Sequence, residues 1–222
     1  VSSSSARESA AAPRRRDEAR ALFRNAILEA AEAVFAERGF HRARIQDVAT
    51  RARIAVGTVY NHFDEKEDLL RALFEERMEE LVTELERRRD DPPDFERGLT
   101  VRVARMLHYV ETHRAFFTVA TEHGAIGAGS ASASVPGVKA ARGIARARAT
   151  FMKIVEEGIA AGELEPIEPI RLARVLGALF RAFSLGGLED GRTDLAADAP
   201  LLVRLFLRGA TKSTPRASKR SR

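Results

Sequence analysis

The chain has 222 residues, of which 45% are hydrophobic and 31% charged, enough to build a folded core as one large or two small domains. It has no Cys, which excludes disulfide staples, thiolate metal sites and a Cys nucleophile; it has no Trp and only 6% aromatic residues beside frequent Ala, Leu and Arg, which predicts an all-α fold over a sheet. The formal charge is +5, no apolar run approaches the roughly 20 residues of a bilayer span, and the Ser-rich start lacks the apolar stretch of a signal peptide, so a cytoplasmic protein with no membrane partner is expected.

Residues 1–17, with Pro13 and Arg14-Arg15-Arg16, have little to bury and read as a flexible basic arm. From about Asp17 to Arg38, Phe23, Ile27, Ala30 and Val34 recur at helical spacing, and Gly39 stands where a left-handed C-terminal residue belongs. Ile45, Val48, Ala49 and Ala52 predict a short helix, and residues 56–62 a second one with Val59 and Phe63 facing inward. Asp64, three residues ahead of Glu67, reads as the cap of a long helix lined by Leu70, Leu73, Phe74, Met78, Leu81, Val82 and Leu85 and closed by Pro92-Pro93. Further helices are predicted over 94–110, 112–123 and about 138–161, the last ending at Gly162, with the small-residue stretch 124–134 as a flexible connection. Leu172, Val175, Leu176, Leu179, Phe180 and Phe183 step at three and four residues. After Gly186-Gly187 a final helix carries Leu195, Leu202, Leu205 and Phe206, and residues 211–222 form a flexible basic tail. The count is about nine helices with no strand and no internal repeat.

Charge is not spread evenly along these elements. Residues 1–63 carry 11 Lys and Arg against 7 Asp and Glu, whereas 64–210 carry 21 against 25 and the tail adds five bases and no acid. A basic head on a mildly acidic body suits a polyanion-binding head, because neutralising phosphates and releasing their counterions supplies most of the affinity for DNA. The head also holds two short helices joined at residues 51–55 with a longer helix in front. These are the parts of a helix-turn-helix, whose second short helix enters the major groove while the first crosses the backbone.

The run from Ala49 to Lys66 reads A-T-R-A-R-I-A-V-G-T-V-Y-N-H-F-D-E-K and continues E-D-L-L; ahead of it Ile27 to Phe40 reads I-L-E-A-A-E-A-V-F-A-E-R-G-F. Over residues 20–75 this resembles the N-terminal signature of the tetracycline-repressor family. The resemblance implies an N-terminal three-helix DNA-binding domain at 18–63, a helical ligand-binding and dimerisation domain at 64–210, and a double-stranded DNA operator as partner. It makes residues 56–62 the recognition helix. Val56 and Gly57 then lie against the DNA, Gly57 letting the backbones approach; Thr58 and Tyr60 face bases or phosphates, Asn61 and His62 lie on the outward face, and Lys66 meets a phosphate. Gln46 on the first short helix is suited to a base or backbone contact. Two departures stand out. Arg44 and Ala55 occupy positions where the family usually has Ser or Thr caps, and Arg53 sits in the turn where it favours Gly, so Arg44 and Arg53 are expected to add phosphate contacts.

For the body the resemblance implies a ligand-responsive repressor that a small apolar or amphipathic molecule releases from its operator, with no resident cofactor. Met106, Tyr109, Phe116, Phe117, Phe151 and Val155 are the side chains that could line a pocket. His108, His113 and His123 are five and ten residues apart, off one helical face, so no metal site is expected. The apolar stripes of the last two helices, beside Gly177, Ala178 and Ala182, are expected to pair with their copies in a homodimer. No H-E-x-x-H, G-x-S-x-G or P-loop run is present, so an enzyme is not expected. The alternative is a cofactor-independent DNA-binding protein whose body binds another protein.

Overall fold

The computed structural model describes residues 4–88, 91–122 and 141–210, and all regular structure within them is helical. Nine α-helices follow in order: α1 Ser4–Arg38, α2 Ile45–Ala52, α3 Val56–Tyr60, α4 Lys66–Glu86, α5 Phe95–Thr112, α6 Arg114–Glu122, α7 Ala141–Ala160, α8 Pro169–Glu189 and α9 Ala199–Ala210, the last preceded by a 3-10 turn, Ala196–Asp198. His123, the stretch 124–134 and the tail 211–222 lie outside the described residues. No helix among the described residues is long and apolar enough to cross a membrane.

The chain divides into two compact units, one of Val1–Glu76 with Ala115–Ala140 and the other of Arg77–Arg114 with Ala141–Arg222. The division falls within α4, beyond the boundary at residue 64 that the sequence suggests. The early turns of α4 bury Leu69, Leu70, Leu73 and Phe74, and Phe74 meets Phe116 of α6 at 6.0 Å between ring centroids, so they complete the core of the first unit.

In the first unit α1 begins at Ser4, well ahead of the expected start near Asp17. The segment taken for a flexible arm has nothing to bury, but its Ala, Arg and Glu are strong helix formers, and the backbone is helical. Phe23, counted on the inward stripe, is 46% exposed; the buried face starts at Ile27. The helix stops as its sequence suggests: Gly39 takes φ +70°, its N–H donates to the carbonyl of Phe35 at 2.8 Å, and the Phe40 ring packs edge-on against Phe35.

Glycine positions shape the second unit. α7 ends at Ala160, two residues ahead of Gly162, φ +76°, and a Cβ at Gly158 would stand 2.6 Å from Phe95 Cζ and 2.7 Å from Leu164 Cδ1, so only glycine lets α7, α5 and the following turn meet. α8 runs straight through Gly186-Gly187, where the sequence suggests a break, and ends two residues ahead of Gly191, φ +72°. Gly187 is there for packing: a Cβ would collide with the fully buried Leu195. Charged groups tie α7 to the later turns of α4. Arg146 Nη2 donates to Glu86 Oε2 at 2.8 Å, Thr150 Oγ1 donates to Glu86 Oε1 at 3.0 Å, and Arg88 pairs with Glu157. α8 and α9 leave Val175, Leu201 and Leu205 exposed.

Candidate DNA-binding site

The site is built on two short helices that hold each other in place. α2 has no acceptor side chain at its cap: Arg44 carries only donors, so half a capping box forms, in which Asp47 Oδ2 accepts the Arg44 backbone N–H at 3.1 Å. Asp47 also pairs with Arg38 of α1 at 2.7 Å, which joins the start of α2 to the end of α1. At the other end Arg53 takes φ 58°, ψ 41°. Its N–H donates to the carbonyl of Thr50 at 3.2 Å and that of Ile54 to the carbonyl of Ala49 at 3.0 Å. These are the two bonds of a Schellman turn, with arginine in the left-handed position that glycine usually fills. A Cβ there costs about 1–2 kcal/mol.

α3 follows at once, with Ala55 offering no side-chain cap. It spans Val56–Tyr60, two residues short of the expected 56–62. Asn61 and His62 belong to the turn that closes it, where the His62 and Phe63 N–H groups both donate to the Val59 carbonyl. Val59 and Phe63 are buried, as their spacing suggests, and this sets the direction of everything else on the helix. Gln46 on α2, Arg44, Arg53, Gly57, Tyr60 and Asn61 are exposed, while Val56, Thr58 and His62 are half-buried. Nine of the ten residues expected at DNA are thus at least partly open to solvent, and Tyr60 is 47% exposed. Gly57 meets nothing within 4 Å of where a Cβ would stand, so nothing among the described residues requires glycine at that position.

The tenth residue behaves differently. Lys66, expected at a phosphate, turns its ammonium toward the protein: Nζ donates to the carbonyls of Phe40 at 2.7 Å, Ala43 at 3.2 Å and His41 at 3.3 Å, and stands 4.4 Å from the centroid of the Phe40 ring. The helix it opens starts one residue later than a cap at Asp64 would place it, which puts Glu65 at the cap position. His62 shows residues that sequence reasoning passed over. Burial, and then the cations of Arg20 and Arg24, hold its imidazole pKa below the usual value. Arg24 also pairs with Glu76 at 3.3 Å. No local signal marks Arg20 or Arg24 as neighbours of α3, because only the packing of α1 brings them there.

The residues proposed from sequence for a pocket do not share one unit. Phe116 and Phe117 are buried in the first, their rings 5.1 Å apart; Met106, Phe151 and Val155 are buried in the second, where Phe151 meets Phe180 at 6.3 Å. Tyr109, also in the second unit, donates its hydroxyl to Glu80, which pairs with the buried Arg77 at 2.7 Å; burial first, then the Glu80 carboxylate, keeps the phenol protonated far above its ordinary range.

A helix-turn-helix with its basic and aromatic residues turned outward, continued into a helical second unit, defines a DNA-binding transcriptional regulator. Residues 27–73 match the model of the bacterial regulatory proteins of the tetR family. The chain is 25% identical over 189 residues to the fatty acid metabolism regulator protein of Bacillus subtilis, covering 82% of this chain and 93% of that one. Among solved structures, the fatty acid degradation regulator FadR of Bacillus halodurans superposes with a TM-score of 0.71 at 22% identity, covering 83% of this chain and 98% of that one. The FadR of Bacillus subtilis in complex with stearoyl-CoA superposes with a TM-score of 0.68 at 21% identity, covering 83% and 97%. Residues 27–73 are thus similar to the DNA-binding segment of tetR-family regulatory proteins, and the chain shares the fold of regulators of that type.

Two substitutions separate stability from use of this surface. Arg53→Gly is expected to raise the unfolding free energy by about 1 kcal/mol by relieving the left-handed arginine, and Gly57→Ala by about 0.5–1 kcal/mol through lower backbone entropy. Denaturant titration reads both, and a loss of stability in either variant would show that the residue has a structural task inside the chain.

Proposed function

We propose that this protein is a ligand-responsive repressor that binds double-stranded operator DNA as a homodimer in the cytoplasm and releases it when a small molecule binds the body. The observation that carries the DNA half is the outward presentation of Tyr60, Asn61, Gly57, Arg53, Arg44 and Gln46 around a helix anchored by the buried Val59 and Phe63. In this reading α3 enters the major groove. Tyr60 and Asn61 meet base edges, Thr58, Val56 and His62 flank them, and Arg44 and Arg53 meet phosphates on either side. Residues 18–63 supply the contacts, with the basic segments 1–17 and 211–222 adding charge.

Dimerisation through α8 and α9 is supported by Val175, Leu201 and Leu205, large apolar side chains left exposed beside Ala178 and Ala182 on the last two helices. A two-fold pair sets two copies of α3 about 34 Å apart for successive major grooves, and a ligand that favours another spacing releases the operator. The ligand is a small apolar or amphipathic molecule. A long-chain acyl-CoA is the first to try, a choice supported by the relative named for fatty acid metabolism and by the solved neighbour holding stearoyl-CoA. Met106, Phe151 and Val155 would flank its chain, with Tyr109 as the polar group among them.

Three outcomes are expected, with DNA affinity read against a duplex selected from a random pool by the wild-type protein and oligomeric state read by light scattering. Tyr60→Ala weakens binding in fluorescence anisotropy by at least tenfold while leaving the mass by light scattering unchanged; equal affinity would remove Tyr60 from the interface. Leu205→Arg converts the dimer to monomer, and a wild-type monomer at micromolar concentration would end the homodimer reading. Stearoyl-CoA at about 100 times its Kd raises the unfolding free energy by about 2.7 kcal/mol and lowers operator affinity. No stabilisation by stearoyl-CoA would remove the acyl-CoA class.

A further inference from the structure

Lys66 is the residue whose structural setting departs most from the role its motif suggests. An ammonium has three N–H donors and no acceptor. All three have carbonyl acceptors, those of Phe40, His41 and Ala43, and the Phe40 ring covers a further side of the cation. A phosphate reaching Nζ would have to displace one of these carbonyls. The three lie between the left-handed Gly39 that ends α1 and Arg44 that caps α2, while Lys66 itself opens α4. One cation thus gathers the exit of α1, the entry of α2 and the start of α4.

We infer that Lys66 is a positioning residue of the DNA-reading head: it fixes the 39–44 loop, and through it the start of α2, and makes no phosphate contact of its own. The other ties at this loop run the same way. Asp47 of α2 takes the Arg44 N–H and pairs with Arg38, and Arg42 Nε donates to the Arg38 carbonyl at 2.9 Å, so the loop is tied back to the end of α1 while Lys66 holds it to α4. Releasing the middle would let Arg44 and Gln46 shift against Tyr60, which rides on α3 from a different anchor, the buried Val59. The geometry of the head as a reading surface then loosens although no contact to DNA is removed. Arginine cannot replace lysine here, because a planar guanidinium spreads its donors in a rigid fork and cannot converge on three carbonyls from one point.

This inference rests on the DNA-binding reading above, and the test keeps the two apart. If the wild-type protein binds no duplex, that reading fails before any variant is made. Given wild-type binding, affinity is measured as a function of KCl concentration for Lys66→Met, which keeps most of the stem, and for Lys66→Arg. A positioning role predicts that both variants bind about tenfold more weakly, that the slope of log K against log salt matches wild type, and that amide hydrogens of residues 40–47 exchange faster in the protein free of DNA. A phosphate contact predicts instead that Lys66→Met lowers the slope by about 0.9 and that Lys66→Arg restores both slope and affinity. That result, or unchanged affinity and exchange in both variants, overturns the inference. Should Lys66→Met fail to fold, the arginine variant alone decides, since restored binding refutes a positioning role and weakened binding at an unchanged slope supports it.

Discussion

A helix of five residues has no stability of its own in water, because the nucleation cost of its first turn is never recovered along so short a segment. α3 exists because Val59 and Phe63 are driven into the core of the first unit and hold its backbone from beneath. Successive residues of a helix point about 100° apart, so burying Val59 fixes Tyr60 on an outer flank and Gly57 and Asn61 beside it. The chemistry of the site is thus a consequence of two apolar anchors, and the polar residues that would read DNA contribute little to keeping the helix in place.

The same few residues carry three features that work against stability. Arg53 is left-handed, Ala55 caps nothing, and Gly57 occupies a helical position where a larger residue would fit. Strain of this kind persists where the surrounding structure holds it and tends to gather at functional sites. The second unit makes a useful contrast. Gly158 and Gly187 are required by their neighbours, which leave no room for a Cβ, so their presence is explained within the chain. Gly57 has no such internal reason among the described residues, which supports the close approach of DNA proposed above.

Much of this architecture was legible in the sequence. The bounds of α2, the inward Val59 and Phe63, the stop at Gly39 and the stop at Gly162 all follow from periodicity and turn chemistry acting within a few residues. The left-handed turn at Arg53 was legible as well, although only because a familiar motif has glycine there. Three readings differ from the structure, each for its own reason. Phe23 was placed inward by spacing, but nothing packs over that part of α1 closely enough to bury it. Gly186-Gly187 was taken for a break, whereas the helix is continuous and Gly187 is where a Cβ would meet the neighbouring Leu195. Residues 1–17 were expected to be a loose arm because they have little to bury, yet from Ser4 on the backbone is helical, in a stretch rich in Ala, Arg and Glu.

What the sequence determined by itself was therefore everything carried by contacts close along the chain: an all-helical protein, a helix-turn-helix in its first third, and a short exposed helix bearing Tyr60 and Asn61. Tertiary structure decided where the charges and rings were spent. Lys66 reaches carbonyls 23 to 26 residues back, Arg20 and Arg24 act on His62 from another helix, and Phe116 joins the first unit through Phe74 while Phe151 packs in the second. A lysine beside a DNA-reading helix has the same local sequence whether it faces phosphate or protein, because its partner is chosen by how helices pack and not by the residues next to it.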